Sequence, residues 1–139
     1  VWAWADGAAQ GPFPVVGGSI TLTAPASVAI IGRLNKGRYK SAKMPGTIQE
    51  QMQVTRLGLM FHETAGGAVR FGRDFANMDR ISDSLPGTVF NGTVEIFEGE
   101  FDFPFNGATE RDPRICLELD TPGPSTILGL GPLVKGGSK

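Results

Sequence analysis

"VTRLGLMFHETAGGAVRFG", residues 54 to 72, is the stretch on which the fold turns. Leu57, Leu59 and Phe61 recur at every second position, the period of a strand that buries one face. A helix would place its apolar residues three and four apart instead. Ala65-Gly66-Gly67 then supplies turn chemistry, and "AVRFG" (68–72) resumes an extended run. The stretch reads as a strand, a hairpin turn and a second strand.

The same grammar extends in both directions. "VWAWADG" (1–7) is a strand closed by an Asp6-Gly7 turn, with Val1, Ala3 and Ala5 on one face and Trp2 and Trp4 on the other. "GPFPVVGG" (11–18) is broken by proline and glycine and reads as edge or loop. In "SITLTAPASVAIIG" (19–32), Ile20 and Leu22 alternate with Ser19, Thr21 and Thr23 as in a half-buried strand. Pro25 interrupts, and "VAII" (28–31) resumes as a short buried strand ended by Gly32. Residues 33 to 46 form a polar, basic stretch, and 47 to 51 a loop or one helical turn. Residues 73 to 87 lack periodicity and read as a long loop with room for one helical turn. "TVFNGTVEIFEGE" (88–100) places Asn91-Gly92 between two short strands, and "FDFPFNGATE" reads as a loop with exposed aromatics.

"ERDPRICLELDTPGPSTILGLGPLV" (110–134) closes the pattern. Ile115, Leu117 and Leu119 alternate with Arg114, Cys116, Glu118 and Asp120. A Pro-Gly-Pro break follows, then a run of Ile127, Leu128 and Leu130. About nine short strands with turn signals every ten residues or so predict an all-β protein. It is a single sandwich or barrel-like domain of short antiparallel strands with long loops, over residues 1–134, with 135–139 a flexible tail.

Composition agrees. The chain has 139 residues, 40% hydrophobic and 19% charged, which suits one domain with one core. Gly 20 and Pro 10 suit short strands and many turns. The net charge of −1 gives no global electrostatic case for nucleic acid or membrane binding. Cys116 is the single cysteine, so no intrachain disulfide exists, and one Cys with one His cannot build a zinc site. No apolar run nears the ~18 residues of a membrane helix. The opening "VWAWADG" has neither a basic n-region nor an h-region, and reads as cut from a longer protein.

The chemistry of a catalyst is hard to assemble from these residues. His62 lies at a strand end beside Glu63, and no GxSxG elbow accompanies it. Cys116 sits mid-strand and reads as a structural thiol. Glu95, Glu98, Glu100 and Asp102 match neither an EF-hand nor any defined calcium loop, and read as a solvated acidic surface. No cofactor is implied. Charge distribution along the chain carries more. Arg33, Lys36, Arg38, Lys40 and Lys43 fall within eleven residues that contain no acid. From Glu95 to Asp120 acids predominate. The charges are solvated, or the basic segment meets the acidic surface of a second copy as a subunit seam, or it touches DNA phosphates.

Four segments, in order, carry a resemblance: "VWAWADG", "GGSITLTAPASVAIIG", "VTRLGLMFHETAGG" and "RDPRICLELDTPGPSTILGL". Together they resemble the C-terminal portion of the tail nozzle proteins of short-tailed bacteriophages and prophages. In that family the corresponding runs are a strand ending in Ala-Asp-Gly, a G-x-I-T-L segment, a strand and turn, and RDPR with a strand and a Pro-x-Pro pair. Two departures stand out: "RLNKGRYK" after Gly32, where the family has an aromatic or proline, and Gly123 between the two prolines.

The resemblance implies a structural, non-catalytic role. Family members form a ring, typically of six copies, at the distal end of the virion tail, after assembly in the bacterial cytoplasm. They continue the channel through which the genome leaves, contact it transiently, and touch the tail adaptor and the fibre or tip proteins, with no membrane partner. An alternative is a carbohydrate- or receptor-binding β-sandwich using Trp2, Trp4, Phe101, Phe103 and Phe105, since rings stack on sugars. A third reading, a tail-associated hydrolase, would rest on Glu98 or Asp102.

Overall fold

The computed structural model describes residues 1–44, 51–90 and 93–136. These residues form ten strands and no helix: β1 (Trp2–Ala5), β2 (Ala8–Gln10), β3 (Ala29–Gly32), β4 (Gly37–Lys40), β5 (Met52–Ala65), β6 (Val69–Asp74), β7 (Asn77–Arg80), β8 (Ile96–Pro104), β9 (Cys116–Leu119) and β10 (Thr126–Gly136). They pair antiparallel in three sheets, ordered β2-β1-β3, β10-β5-β8 and β4-β9-β6-β7. The second and third sheets share one core and make the sandwich.

The alternation of β5 is what the core is built on. Leu57, Leu59 and Phe61 are fully buried, and they share one core with Val69, Phe71 and Leu117 of the facing sheet and with Ile81 just beyond β7. A run of phenylalanines fills the space between. Phe61 packs edge-on to Phe97 at 5.9 Å and to Phe103 at 6.2 Å. Phe71, from the opposite sheet, lies 5.5 Å from Phe103 and stacks on Phe105 at 6.2 Å. Edge-to-face and offset contacts of this kind add to the gain from burial.

Several elements differ from the sequence reading. Ala65-Gly66-Gly67 is a turn but not a hairpin: β5 and β6 lie in different sheets. The two glycines let the chain turn the corner of the sandwich. A side chain at Gly66 would meet the Asp83 carbonyl oxygen at 2.5 Å, and Gly67 has φ 68°. Residues 20–28 form no strand; Ser19 makes only an isolated bridge to Val16. Asp6 holds this segment instead, accepting from the Ser27 and Val28 amides at 2.7 and 2.9 Å. β3 is a strand as expected but is exposed throughout, because it is the outer strand of the small sheet.

Part of the basic stretch is a strand, β4, recruited by pairing with β9. The loop expected at 73–87 contains β7, which turns back on β6 through Phe75 and Ala76. Residues 88–90 are not a strand, and the Asn91-Gly92 turn lies outside the described residues, as does most of 47–51. β8 continues to Pro104 where a loop was expected, and its rings turn inward. β10 extends through Lys135 and Gly136, which pair with Gln53 and Met52.

The two stylised motifs of the C-terminal stretch hold elements together. In "ERDPR", Glu110 bridges Met52 at the start of β5 in both directions, at 2.8 and 2.9 Å. Asp112 accepts from Arg114 Nε and Nη2, and Arg114 Nη1 reaches the Ser41 carbonyl at 3.3 Å, tying the end of β4 to the entry of β9. The Pro-Gly-Pro segment carries the chain from β9 to β10, from one sheet to the other. Pro124 accepts the Ala65 amide at 2.8 Å, and Gly123 lies against the Trp4 ring, docking the small sheet onto the sandwich.

Candidate assembly interface

Strand alternation sends every second side chain away from the shared core, so the sandwich has two outer faces on opposite sides. On the four-stranded sheet, pairing sets Arg38, Glu118, Arg70 and Arg80 side by side in one row across β4, β9, β6 and β7. The next row begins with Lys40 opposite Cys116. Glu118 is the anchor of this face. Its side chain is 5% exposed, and it accepts from Arg38 Nε at 2.6 Å with Lys36 Nζ at 3.6 Å. The Arg38 hydrogen bond is the main reason its carboxyl is held below the ordinary value, against the opposing effect of burial. Arg38 also covers the Phe75 ring at 5.0 Å. Arg70 pairs with Asp120 at 3.1 Å.

Lys36, Arg38 and Lys40 therefore belong to one face, and two of them are engaged within their own chain. Arg33 and Lys43 are exposed outside the strands. The five cations singled out by the sequence are not a single loop. Arg70 and Arg80, which join the face from 32 or more residues away, were not foreseen; the signal was the alternation of charge in "VRF" and "NMDR" once those strands are paired.

The three-stranded sheet carries the opposite sign. Glu98, Glu100 and Asp102 stand at alternate positions of β8, on its outward side. Asp102 pairs with Arg56 at 2.7 Å, and Lys135 lies at the far end of the sheet. Glu98 lies opposite a bulge in β5: Phe61 pairs with Gly99 and Thr64 with Phe97, so His62 and Glu63 together oppose Glu98. Glu63 has φ 45°, and its amide donates to Glu98 Oε2 at 2.9 Å, while His62 Nδ1 lies 2.9 Å from Oε1. The Glu63 amide is the largest cause that lowers the Glu98 carboxyl; Glu98 in turn raises His62. Glu95 is separate from this row. It faces the loop before β8, accepting from the Leu85 amide and the Thr88 hydroxyl.

Other candidate chemistry is accounted for by packing. Cys116 is fully buried, and burial pushes its thiol up, away from a reactive thiolate. Among the described residues no group of three or more His, Cys, Asp or Glu side chains is placed to hold a metal. No helix there is long and apolar enough to cross a membrane. Phe97 and Phe105 are buried, Phe101 and Phe103 pack against the core, and Trp2 and Trp4 are half-buried, Trp4 beneath Gly123. An apolar groove of about 480 Å³ opens between the edges of β4 and β10, lined by Tyr39, Leu117, Leu119, Ile127 and Leu130. Comparison with protein-family models and with curated proteins yields no match.

Proposed function

We propose that the chain is a structural module of a bacteriophage or prophage tail nozzle, acting through contacts between copies and with neighbouring tail proteins rather than through catalysis. One observation supports this reading above the others. Three of the motifs that carry the family resemblance serve as framework: Asp6-Gly7 turns β1 and fastens the loop before β3, "RDPR" with Glu110 before it joins β4, β5 and β9, and Pro-Gly-Pro docks the small sheet. Motifs that serve as framework suit a part whose shape and charged faces are its function. In this reading the ring continues the ejection channel. The modest net charge lets DNA pass, because each added phosphate contact would strengthen retention.

The test is made on particles. Antibodies raised against this chain should decorate the distal tail tip of virions in negative-stain micrographs, and the full-length protein should form rings with a central opening. Decoration of no particle, with the full-length protein monomeric, would remove the reading. Of the rings that motivate the carbohydrate-binding alternative, Phe105 is buried, and Trp4, Phe101 and Phe103 are partly buried against the core.

A further inference from the structure

We propose that the two outer faces of the sandwich are the two halves of one contact, so that the four-stranded face of one copy seats on the three-stranded face of the next. The inference deepens the assembly reading above and rests on it for its biological setting. The occupant is a second copy of this chain, and the argument is charge complementarity between the two faces.

The four-stranded face carries Lys36, Arg38, Lys40, Arg70 and Arg80 against Glu118 and Asp120, and at its Lys40 end Arg73 and Arg114 stand among Asp74, Glu110 and Asp112. The three-stranded face carries the β8 row of Glu98, Glu100 and Asp102 against Arg56, with Lys135 at its far end. Internal pairing lowers both totals and leaves their signs opposed. Among the described residues it also leaves each face an exposed charge of its own sign outside any ion pair: Lys40 on β4 and Glu100 on β8.

Beside Glu100 the face has a place to receive a cation. A shallow depression of about 360 Å³ is floored by Gly58 and Gly131, which pair across β5 and β10, and rimmed by Glu100, Asp102, Arg56 and Leu133. With no side chains on its floor, a long basic side chain can lie over the strands with its head among the carboxylates. Two basic faces repel each other, as do two acidic ones. The contact is therefore head-to-tail and not two-fold, the type that closes into a ring or grows into a filament.

Sedimentation velocity on the whole chain tests this. Association is expected at low salt, weakening about tenfold near 0.5 M, where exposed charges are screened within roughly 4 Å. Two charge variants, E100K/D102K and K36E/K40E, should each be monomeric alone. An equimolar mixture should associate again, because each then offers the sign that the other lacks. G131L is a third variant that changes no charge. A side chain there meets nothing within 4 Å in the fold, so it should fill the depression and block association while the circular dichroism is unchanged.

A parent chain monomeric up to about 100 µM at low salt overturns the proposal. So does association that strengthens with salt, or folded variants that stay apart on mixing. The tail reading is judged on virions and this contact on the isolated chain, so either can fail while the other stands.

Discussion

Glu98 shows how one carboxylate can set the behaviour of a whole bulge. Its two oxygens take the amide that the bulge frees from the ladder and the ring nitrogen of His62. His62 is raised above 6.5, so its share of the stabilisation is complete below 6.5 and fades as pH rises through the raised value. Glu98 is lowered below 4.5, so its share is complete above 4.5 and fades as pH falls through the lowered value. The pair contributes most between those two ordinary values. In E98Q the His62 titration, followed by NMR of the ring proton, is expected to move back down toward 6.5, and the losses of stability above 6.5 and below 4.5 to shrink. Glu118 differs because it is buried. E118Q keeps the volume but leaves Lys36 and Arg38 without their counter-charge, and should cost about 1–3 kcal/mol in urea denaturation.

At the scale of elements, the joints are as specific as the strands. G123A would set a methyl 2.7 Å from the Trp4 ring and 3.0 Å from the Ala65 side chain. It is expected to cost about 1–3 kcal/mol by overpacking, read as a lower melting temperature with a shift in tryptophan fluorescence. β5 was legible because Leu57, Leu59 and Phe61 bury one face, while Gly58 and Met60 between them and His62 after them line the other. β8 has the same period in Phe97, Phe101 and Phe103, and its first half reads as a strand, but Pro104 and the interleaved acids disguise its continuation from Phe101 as a loop. β7 was illegible for a different reason. "NMDR" has no apolar period, and its extended form comes from pairing with β6. β3 was recognisable as a strand but not as an exposed one. Periodicity reports the shape of a segment and not how many neighbours it acquires. The charged candidates divide in the same way: their signs were readable, but their grouping into faces depends on pairings between residues 38, 70, 80 and 118.

At the scale of the molecule, the chain closes on itself late. β10, the last element, completes the sheet of β5, and β9 is flanked by β4 and β6 from far earlier in sequence. A chain ending at Asp120 would lack the strand that covers one edge of β5 and would leave the core side of that sheet open. It is expected to show no cooperative thermal transition, whereas the whole chain shows one, which calorimetry on the two would check. The small sheet makes the molecule colloidally one-sided. Residues 7 to 32 contain no ionisable side chain, and β3 sets Ile30 and Ile31 at 69% and 53% exposure on an unpaired edge. Strand edges of this kind are normally guarded by charge, and Arg33 is the first gatekeeper after it. Concentrated stocks are expected to scatter light that 0.5 M salt does not remove, unlike an electrostatic contact, and I30K to keep them clear at either salt concentration.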